Sequence, residues 1–507
     1  MKFEAKNEKE MKSPSLKWNM ILNVVKGLLG IVFPLITFPY ASRVIGVEGL
    51  GKNGFASSII SYFSLIAAMG FSSYMRRTGS TVRSDKEKFN RLASEVFSLN
   101  VISTFFAYLL LFVVLFSSAK LRDYQNLIII LSFSLFLTTF GVDWVYSVFE
   151  DYAYITVRSL IFHVISLVLL FTLVKTPDDL VKYVWISVIS SAGSNILNFF
   201  HSRKYCSIKL TWNINWKKHL PPVLVFWTTT LATTIYVSSD ITILGFLCDD
   251  RAIGIYTVSV RVYSIVKSIV GSAIAVSIPR LCAYVGENKR QQYSDLAQDV
   301  HNTIITFTIP ILIGTILYSH DLISFLGGSD YSEAFVSLIL LSIALIFCML
   351  AYFWGECVLV PNFREKGSLI ATICSAAINI TLNFILIPLY KQDAAAFTTI
   401  IGEGTAFLVC FFIGRKFFKI KGVFSTYSKV ILGSTVIYPV SILSRVLTDS
   451  SFFRILIGVL LSVPAYFVLE IVLHNESVSQ ILIGIKKRLK DSKEKNDGYK
   501  TCDGNTR

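Results

Sequence analysis

The stretch FGVDWVYSVFEDYAYITVRSL, residues 140–160, sets Asp143, Glu150, Asp151 and Arg158 close together between two long apolar runs. Opposite charges so spaced can pair and neutralise each other, or act as a gate that opens when they separate. In hydrocarbon each needs a partner, a water-filled cavity or a turn at the surface. Lys26, Arg261 and Lys267 also lie well inside apolar runs, and Glu403 sits between Gly402 and Gly404. Buried cations suit an anion in transit, whereas an acid in such a place can couple transport to a cation or simply pair with a donor. Nothing comparable points to catalysis. The six histidines are dispersed, the eight cysteines are scattered without a CxxC pair, and there is no GxxxxGK[ST] phosphate loop. No catalytic residue, metal site, cofactor or ATP hydrolysis is therefore expected.

The elements that must carry these charges are membrane helices. Of the 507 residues 53% are hydrophobic and only 16% charged, with mean hydropathy +0.60. A soluble domain carries roughly 25% charge. Apolar runs of bilayer length recur along the chain, and the charged segments between them are too short to fold as soluble modules. The first apolar stretch is far longer than the core of a cleavable signal peptide and reads as a retained span. Fourteen spans are expected, starting near Leu16, Gly54, Leu92, Leu127, Tyr154, Leu180, Val223, Ala252, His301, Glu333, Gly367, Ala394, Tyr427 and Arg454. With an even number both termini share a side. The connections on that side hold 33 Lys and Arg against ten opposite, with five inside spans, so both termini are expected in the cytoplasm. That distribution also accounts for the net charge of +15 without nucleic acid.

A weak internal repeat organises the spans. LGKNGFASSIISYFSLI resembles IGIYTVSVRVYSIVKSI, with Gly51 falling on Gly254 at an offset of 203 residues. A repeat of six spans keeps its orientation, which predicts an all-α membrane protein of two parallel pseudo-symmetric six-helix bundles plus two C-terminal helices. The expected parts are a tail at 1–15, a lobe at 16–213, a second lobe at 214–421, the last two helices at 422–475 and a basic tail at 476–507.

Polar residues at helical spacing mark faces turned from lipid. Asn19, Asn23 and Lys26 share such a face, and similar stripes carry Ser57 with Ser61 and Ser64, Asn198, Asp240, Arg261, and Asn379 with Asn383. One stripe alone is explained by close helix packing; six together favour a hydrated cavity. Lys26 lies about ten residues into its span, near mid-depth at about 1.5 Å per residue. Arg261 and Lys267, six positions apart, occupy different faces. Arg261 can pair with Asp240 or face a substrate, and the residues leave both open. Asp143 and Arg158 are expected to meet across a hairpin whose turn is EDYAY, either pinning it or gating it.

FPLITFPYASRVIGVEGLGKNGFASSIISYFSLIA, the 140–160 stretch, ATTIYVSSDITILGF with IGIYTVSVRVYSIVKS, and VPNFREK followed by NFILIP stand in an order and spacing that resemble the bacterial polysaccharide flippases. These O-antigen and capsule repeat-unit carriers belong to the multidrug/oligosaccharidyl-lipid/polysaccharide exporter superfamily. The resemblance covers nearly the whole chain. It implies a MATE-like fold of about fourteen helices, alternating access, and a cationic cavity for an undecaprenyl-diphosphate-linked oligosaccharide. Cavity roles carry over to Lys26, Arg43 and Arg261, with Lys267 beside them. It implies a bacterial cytoplasmic membrane, membrane lipids and the polysaccharide assembly machinery as partners, and helices 13 and 14 as the place for a polyprenyl tail. A multidrug exporter of the same fold would favour an acidic cavity. A membrane glycan polymerase or glycosyltransferase would need a large external catalytic loop, which is lacking here; a non-transporting scaffold for glycan assembly is the remaining rival.

Overall fold

The computed structural model describes residues 16–475 and 478; the side chains of residues 16–26, 28, 29, 31, 229 and 273 lie outside the description. Among the described residues the regular structure is entirely helical. The chain forms two compact units, Met1–Thr257 with Leu326–Asp330, and Val258–Phe325 with Tyr331–Arg507.

The first unit is built from α1 (Leu16–Ala68), α2 (Phe71–Val82), α3 (Lys86–Ser117), α4 (Ala119–Arg122), α5 (Gln125–Gly141), α6 (Asp143–Val148), α7 (Tyr152–Leu173), α8 (Leu180–Val188), α9 (Asn195–Ser202), α10 (Trp216–Leu247) and the start of α11 (Asp250–Ala275). The second holds the rest of α11, α12 (Ile278–Gly286), α13 (Arg290–Leu317), α14 (Ser319–Leu326, its last residue excepted), α15 (Ala334–Tyr352), α16 (Glu365–Gly414), α17 (Val423–Ser434), α18 (Ile437–Leu447) and α19 (Ser451–Val472).

Eleven of the described helical segments are long and apolar enough to cross a membrane, and Gln125–Gly141 is a shorter apolar helix. Two are too long to be single crossings. An unbroken helix of 53 residues, the length of α1, would run about 80 Å against a hydrocarbon core of about 30 Å. It breaks at Gly46 (φ 76, ψ 175), a conformation open to a residue without Cβ. The 50-residue α16 breaks at Lys391 (φ 48, ψ −128), where a residue with a Cβ is held in a conformation that costs it strain.

The equivalent glycines of the repeat meet within the first unit. A Cβ on Gly51 would sit 1.9 Å from the carbonyl oxygen of Asp250 and 3.1 Å from the nitrogen of Gly254; one on Gly254 would sit 2.1 Å from the carbonyl oxygen of Val47. Asp250 is the counterpart of Val47 at the offset of 203, so the contact is reciprocal. A Cβ on Gly54 would likewise stand 3.0 Å from the Oγ1 of its counterpart Thr257. Helices without side chains at the crossing approach backbone to backbone, which replaces the hydrophobic drive missing in lipid.

One expectation needs correction. The spacing places Asp143 two turns inside the fourth span, but α5 ends at Gly141 and Asp143 opens a separate helix, α6. Val142 between them is left-handed (φ 38, ψ 39), which for a β-branched residue costs about 1–3 kcal/mol.

Candidate functional site

The break at Val142 redirects the chain and puts Asp143 at the head of α6. Arg158, two turns into α7, reaches it across the hairpin: Nη1 lies 3.5 Å from Asp143 Oδ1. The turn is closed by Asp151 N–H donating to the Tyr146 carbonyl at 3.0 Å. Asp151 Oδ1 in turn accepts from the Tyr154 N–H at 3.2 Å, capping α7. Glu150 faces outward and pairs with Arg83 at 2.9 Å. The guanidinium is sealed, with 6% of the Arg158 side chain exposed, whereas 52% of Asp143 is.

Two further groups complete this cluster. Asn198 on α9 donates from Nδ2 to Asp143 Oδ1, and Arg158 Nη1 donates to the Ser194 carbonyl at 3.5 Å. Ser194 follows a π-helical turn, Ile189–Gly193, a widened ring that shifts register and recurs at functional positions. Arg158 Nε and Asn198 Oδ1 are buried with no hydrogen-bond partner. Beside them Tyr146, Tyr154 and His201 stack, Tyr154 over His201 at 3.8 Å between centroids. Tyr205 donates to Asp151 Oδ2 at 2.5 Å. Burial and that carboxylate push its phenol well above the ordinary value. The arrangement is a fixed, half-buried dipole with its acid outward, able to meet a cation or water but not to offer its guanidinium to an anion.

A second polar chain in this unit left no sequence signal beyond a Glu in an apolar helix. Glu95 on α3 accepts from Arg91 Nε at 2.9 Å on one oxygen. Its other oxygen meets His219 Nε2 at 2.8 Å and the Asn215 N–H at 3.3 Å. His219 Nδ1 is 2.7 Å from Tyr74 Oη, and His219 is fully buried. It ties α2, α3 and the start of α10 together.

In the second unit Glu403 on α16 is paired. Lys267 Nζ on α11 lies 3.4 Å from Glu403 Oε1, and Tyr263 Oη, one turn earlier, donates to the same oxygen at 3.2 Å. Here the acid is sealed, 7% exposed, while 38% of the lysine side chain is open. The ammonium also lies 5.6 Å from the Tyr263 ring centroid, a cation–π distance. A separate groove of about 320 Å³ between α11 and α13 is apolar apart from Ser277, Asp299 and Thr303.

The remaining candidates fall into three groups. Arg43 and Arg261 are exposed, and Arg43 Nη1 donates to the Pro39 carbonyl at 2.7 Å. Asp240 is buried and accepts from Tyr256 Oη at 2.8 Å. Asn379 and Asn383, expected along a wet cavity, are 1% and 0% exposed. They bond each other at 3.1 Å and Thr398 across the two halves of α16. Asn19, Asn23 and Lys26 lie on α1, with side chains outside the described residues.

Comparison with known proteins follows from this architecture. A family model described as "Polysaccharide biosynthesis protein" matches residues 16–285. The capsular polysaccharide biosynthesis protein CapF of Staphylococcus aureus is 24% identical over 414 residues, covering 80% of this chain and 99% of that one. A putative O-antigen transporter of Escherichia coli (strain K12) is 22% identical, covering 77% and 94%. Among solved structures, the lipid II flippase MurJ in an inward closed conformation superposes with TM-score 0.72 at 19% identity, covering 91% of this chain and 99% of that one. An inward-facing MATE family transporter of the MOP superfamily gives TM-score 0.59 at 14% identity, covering 78% and 97%.

Proposed function

The chain belongs to the polysaccharide biosynthesis protein family, and from that premise we propose that it is a flippase carrying undecaprenyl-diphosphate-linked oligosaccharide repeat units across a bacterial cytoplasmic membrane. Its relatives are named for capsular polysaccharide biosynthesis and O-antigen transport, and its fold is that of MurJ and the MATE transporters. The observation that carries the substrate reading is Lys267. Its side chain is partly exposed, 38%, and its ammonium is held in place by a sealed carboxylate, so an anionic oxygen that reaches it meets a cation already fixed in position. A diphosphate leaving water needs fixed counter-charge, because an uncompensated charge near the bilayer centre costs at least about 2.5 kcal/mol. Arg43 in the first unit and Arg261 in the second are further exposed cations, and Lys26 is assigned the same role from its sequence position. Movement is by alternating access.

Glu403 can couple a cation only when Lys267 leaves it, so a substrate phosphate that draws Lys267 away frees the carboxylate for the coupling ion. Fourteen crossings are favoured by dividing the two overlong helices at Gly46 and Lys391 and counting Gln125–Gly141. The excess of Lys and Arg on one side favours cytoplasmic termini.

The test is reconstitution in liposomes with a defined undecaprenyl-diphosphate oligosaccharide, scoring arrival in the opposite leaflet. Lys267→Ala and the Lys26→Ala/Arg261→Ala double variant should each slow translocation by about tenfold or more. Wild-type rates in these variants would overturn the cationic route, and no translocation by wild type would overturn the substrate assignment.

A further inference from the structure

The segment joining α9 to α10 is neither helix nor free loop. It runs extended along α3: the N–H groups of Ser207, Lys209 and Thr211 donate to Asn90 Oδ1 at 2.9 Å, Ser94 Oγ at 3.1 Å and Ser98 Oγ at 2.9 Å. Alternate residues of an extended chain thus meet positions four apart on a helix, which share one face. Cys206 and Ile214 enter the hydrophobic core beneath, at 2% and 9% exposed. The segment's inner edge is therefore nailed down and its outer edge is fixed in direction.

That outer edge is unusual in composition. Leu210, Trp212 and Trp216 are 68%, 89% and 45% exposed. Arg203, Lys204, Lys209, Lys217 and Lys218 are all exposed, and residues 203–218 contain no Asp or Glu. Arg203 and Lys204 lie over the rings of Phe200 and Tyr205 at 5.6 and 5.5 Å, so their stems are directed. The segment joins two candidate membrane spans, Pro177–Ser202 and Trp216–Leu247, and so leaves and re-enters the apolar slab at both ends.

We propose that residues 203–218 form an anionic-lipid anchor, with Trp212 and Leu210 seated in the interface and the five basic side chains holding the phosphates of acidic headgroups. Tryptophan concentrates at the interface because its ring is apolar and its N–H needs water or headgroup oxygen. Lysine and arginine beside it are attracted to a negative leaflet, each worth about fivefold in affinity. A soluble acidic protein would satisfy the charges but not the placement of an exposed indole between two membrane crossings. The backbone bonds to α3 mean that no ordering cost falls on lipid binding. Asn215, in the same segment, donates its N–H to Glu95 Oε2, which connects the anchor to the buried Glu95–His219–Tyr74 chain. The inference requires only that the chain spans a bilayer, and is independent of what it transports.

The test uses the full chain in vesicles of phosphatidylcholine, with or without a share of phosphatidylglycerol, made with brominated acyl chains that quench nearby indoles. The Trp212 contribution is the difference between wild type and Trp212→Phe. It should be quenched more strongly in the anionic vesicles, and added salt should reverse the gain. A Lys209→Gln/Lys217→Gln/Lys218→Gln variant should lose that preference by about tenfold or more, while the matching Lys→Arg variant keeps it. Equal melting of the two variants guards against misfolding as the cause. Quenching that ignores lipid charge, a triple Gln variant that keeps the preference, or a Trp212 unquenched in both vesicles would each overturn the proposal. Wild-type failure in the flipping assay would leave this readout untouched.

Discussion

The ion pairs Arg158–Asp143 and Lys267–Glu403 are built in opposite senses. Arg158–Asp143 hides its cation, 6% exposed, and opens its acid, 52% exposed; Lys267–Glu403 hides its acid, 7% exposed, and opens its cation, 38% exposed. Their separations, 3.5 and 3.4 Å, are nearly equal, so distance does not distinguish them. Which partner is sealed does. The sealed member is committed to the fold, because stripping its counter-charge leaves an uncompensated charge out of water. The open member is the one that something else can approach. Of these two pairs, the first thus presents its carboxylate and the second its lysine, so only the second pair is suited to meet an anion.

The sharpest way to break this contrast is to remove the open partner of the first pair. Asp143→Ala strands Arg158 and should cost about 3–5 kcal/mol, read as a lower unfolding midpoint in detergent or nanodiscs. Lys267→Ala strands Glu403, which keeps the Tyr263 hydroxyl, so a smaller loss of about 1–3 kcal/mol is expected in the same assay. Taking away the sealed partner instead reverses the ranking of structure and function. Glu403→Gln should change stability by no more than about 1–2 kcal/mol yet alter the pH dependence of transport. A double-mutant cycle on Lys267 and Glu403 should return a coupling of about 0.5–3 kcal/mol; a zero value would mean that the two groups do not act as a pair. As the bland reference, Arg83→Ala breaks the exposed pair with Glu150 and should cost under about 1 kcal/mol.

The internal repeat helps to explain why the pairs differ. At the offset of 203, Asp143 and Arg158 fall on Ile346 and Pro361, and Lys267 and Glu403 fall back on Ser64 and Phe200. Neither charge pair is duplicated. What the repeat does preserve is close helix packing, seen where Gly51 and Gly254 each face the carbonyl of the other's neighbouring turn. Backbone contact depends on small residues at fixed spacing, which a duplicated pattern carries. Charge placement depends on the particular neighbour and is free to diverge.

Much of the molecule is legible in the sequence for physical reasons. Apolar runs of bilayer length leave the backbone no option but helix, since hydrocarbon offers no hydrogen bonds. The tight EDYAY turn forces its two flanking helices side by side, so Asp143 and Arg158 are near in space because they are near in sequence. Two features mislead. The stripe of Asn379 and Asn383 has the periodicity of a wet face, but the same periodicity serves two helix halves that hydrogen-bond through Thr398. The strained Val142, which detaches α6 from α5, has no sequence mark at all, because a β-branched residue is the last expected in a left-handed turn.

By itself, then, the sequence determined the solvent this chain folds in, the helical class, the likeness between its halves and the charges that had to be accounted for, because all of these follow from residue type and local spacing. Only the tertiary structure decided that Lys267 answers Glu403 across 136 positions, that His219 closes on Glu95, and which end of each pair is open. Helical periodicity fixes the face on which a side chain lies, but the neighbour that face meets depends on the rotation and depth of another helix, and these are settled only when the whole set packs.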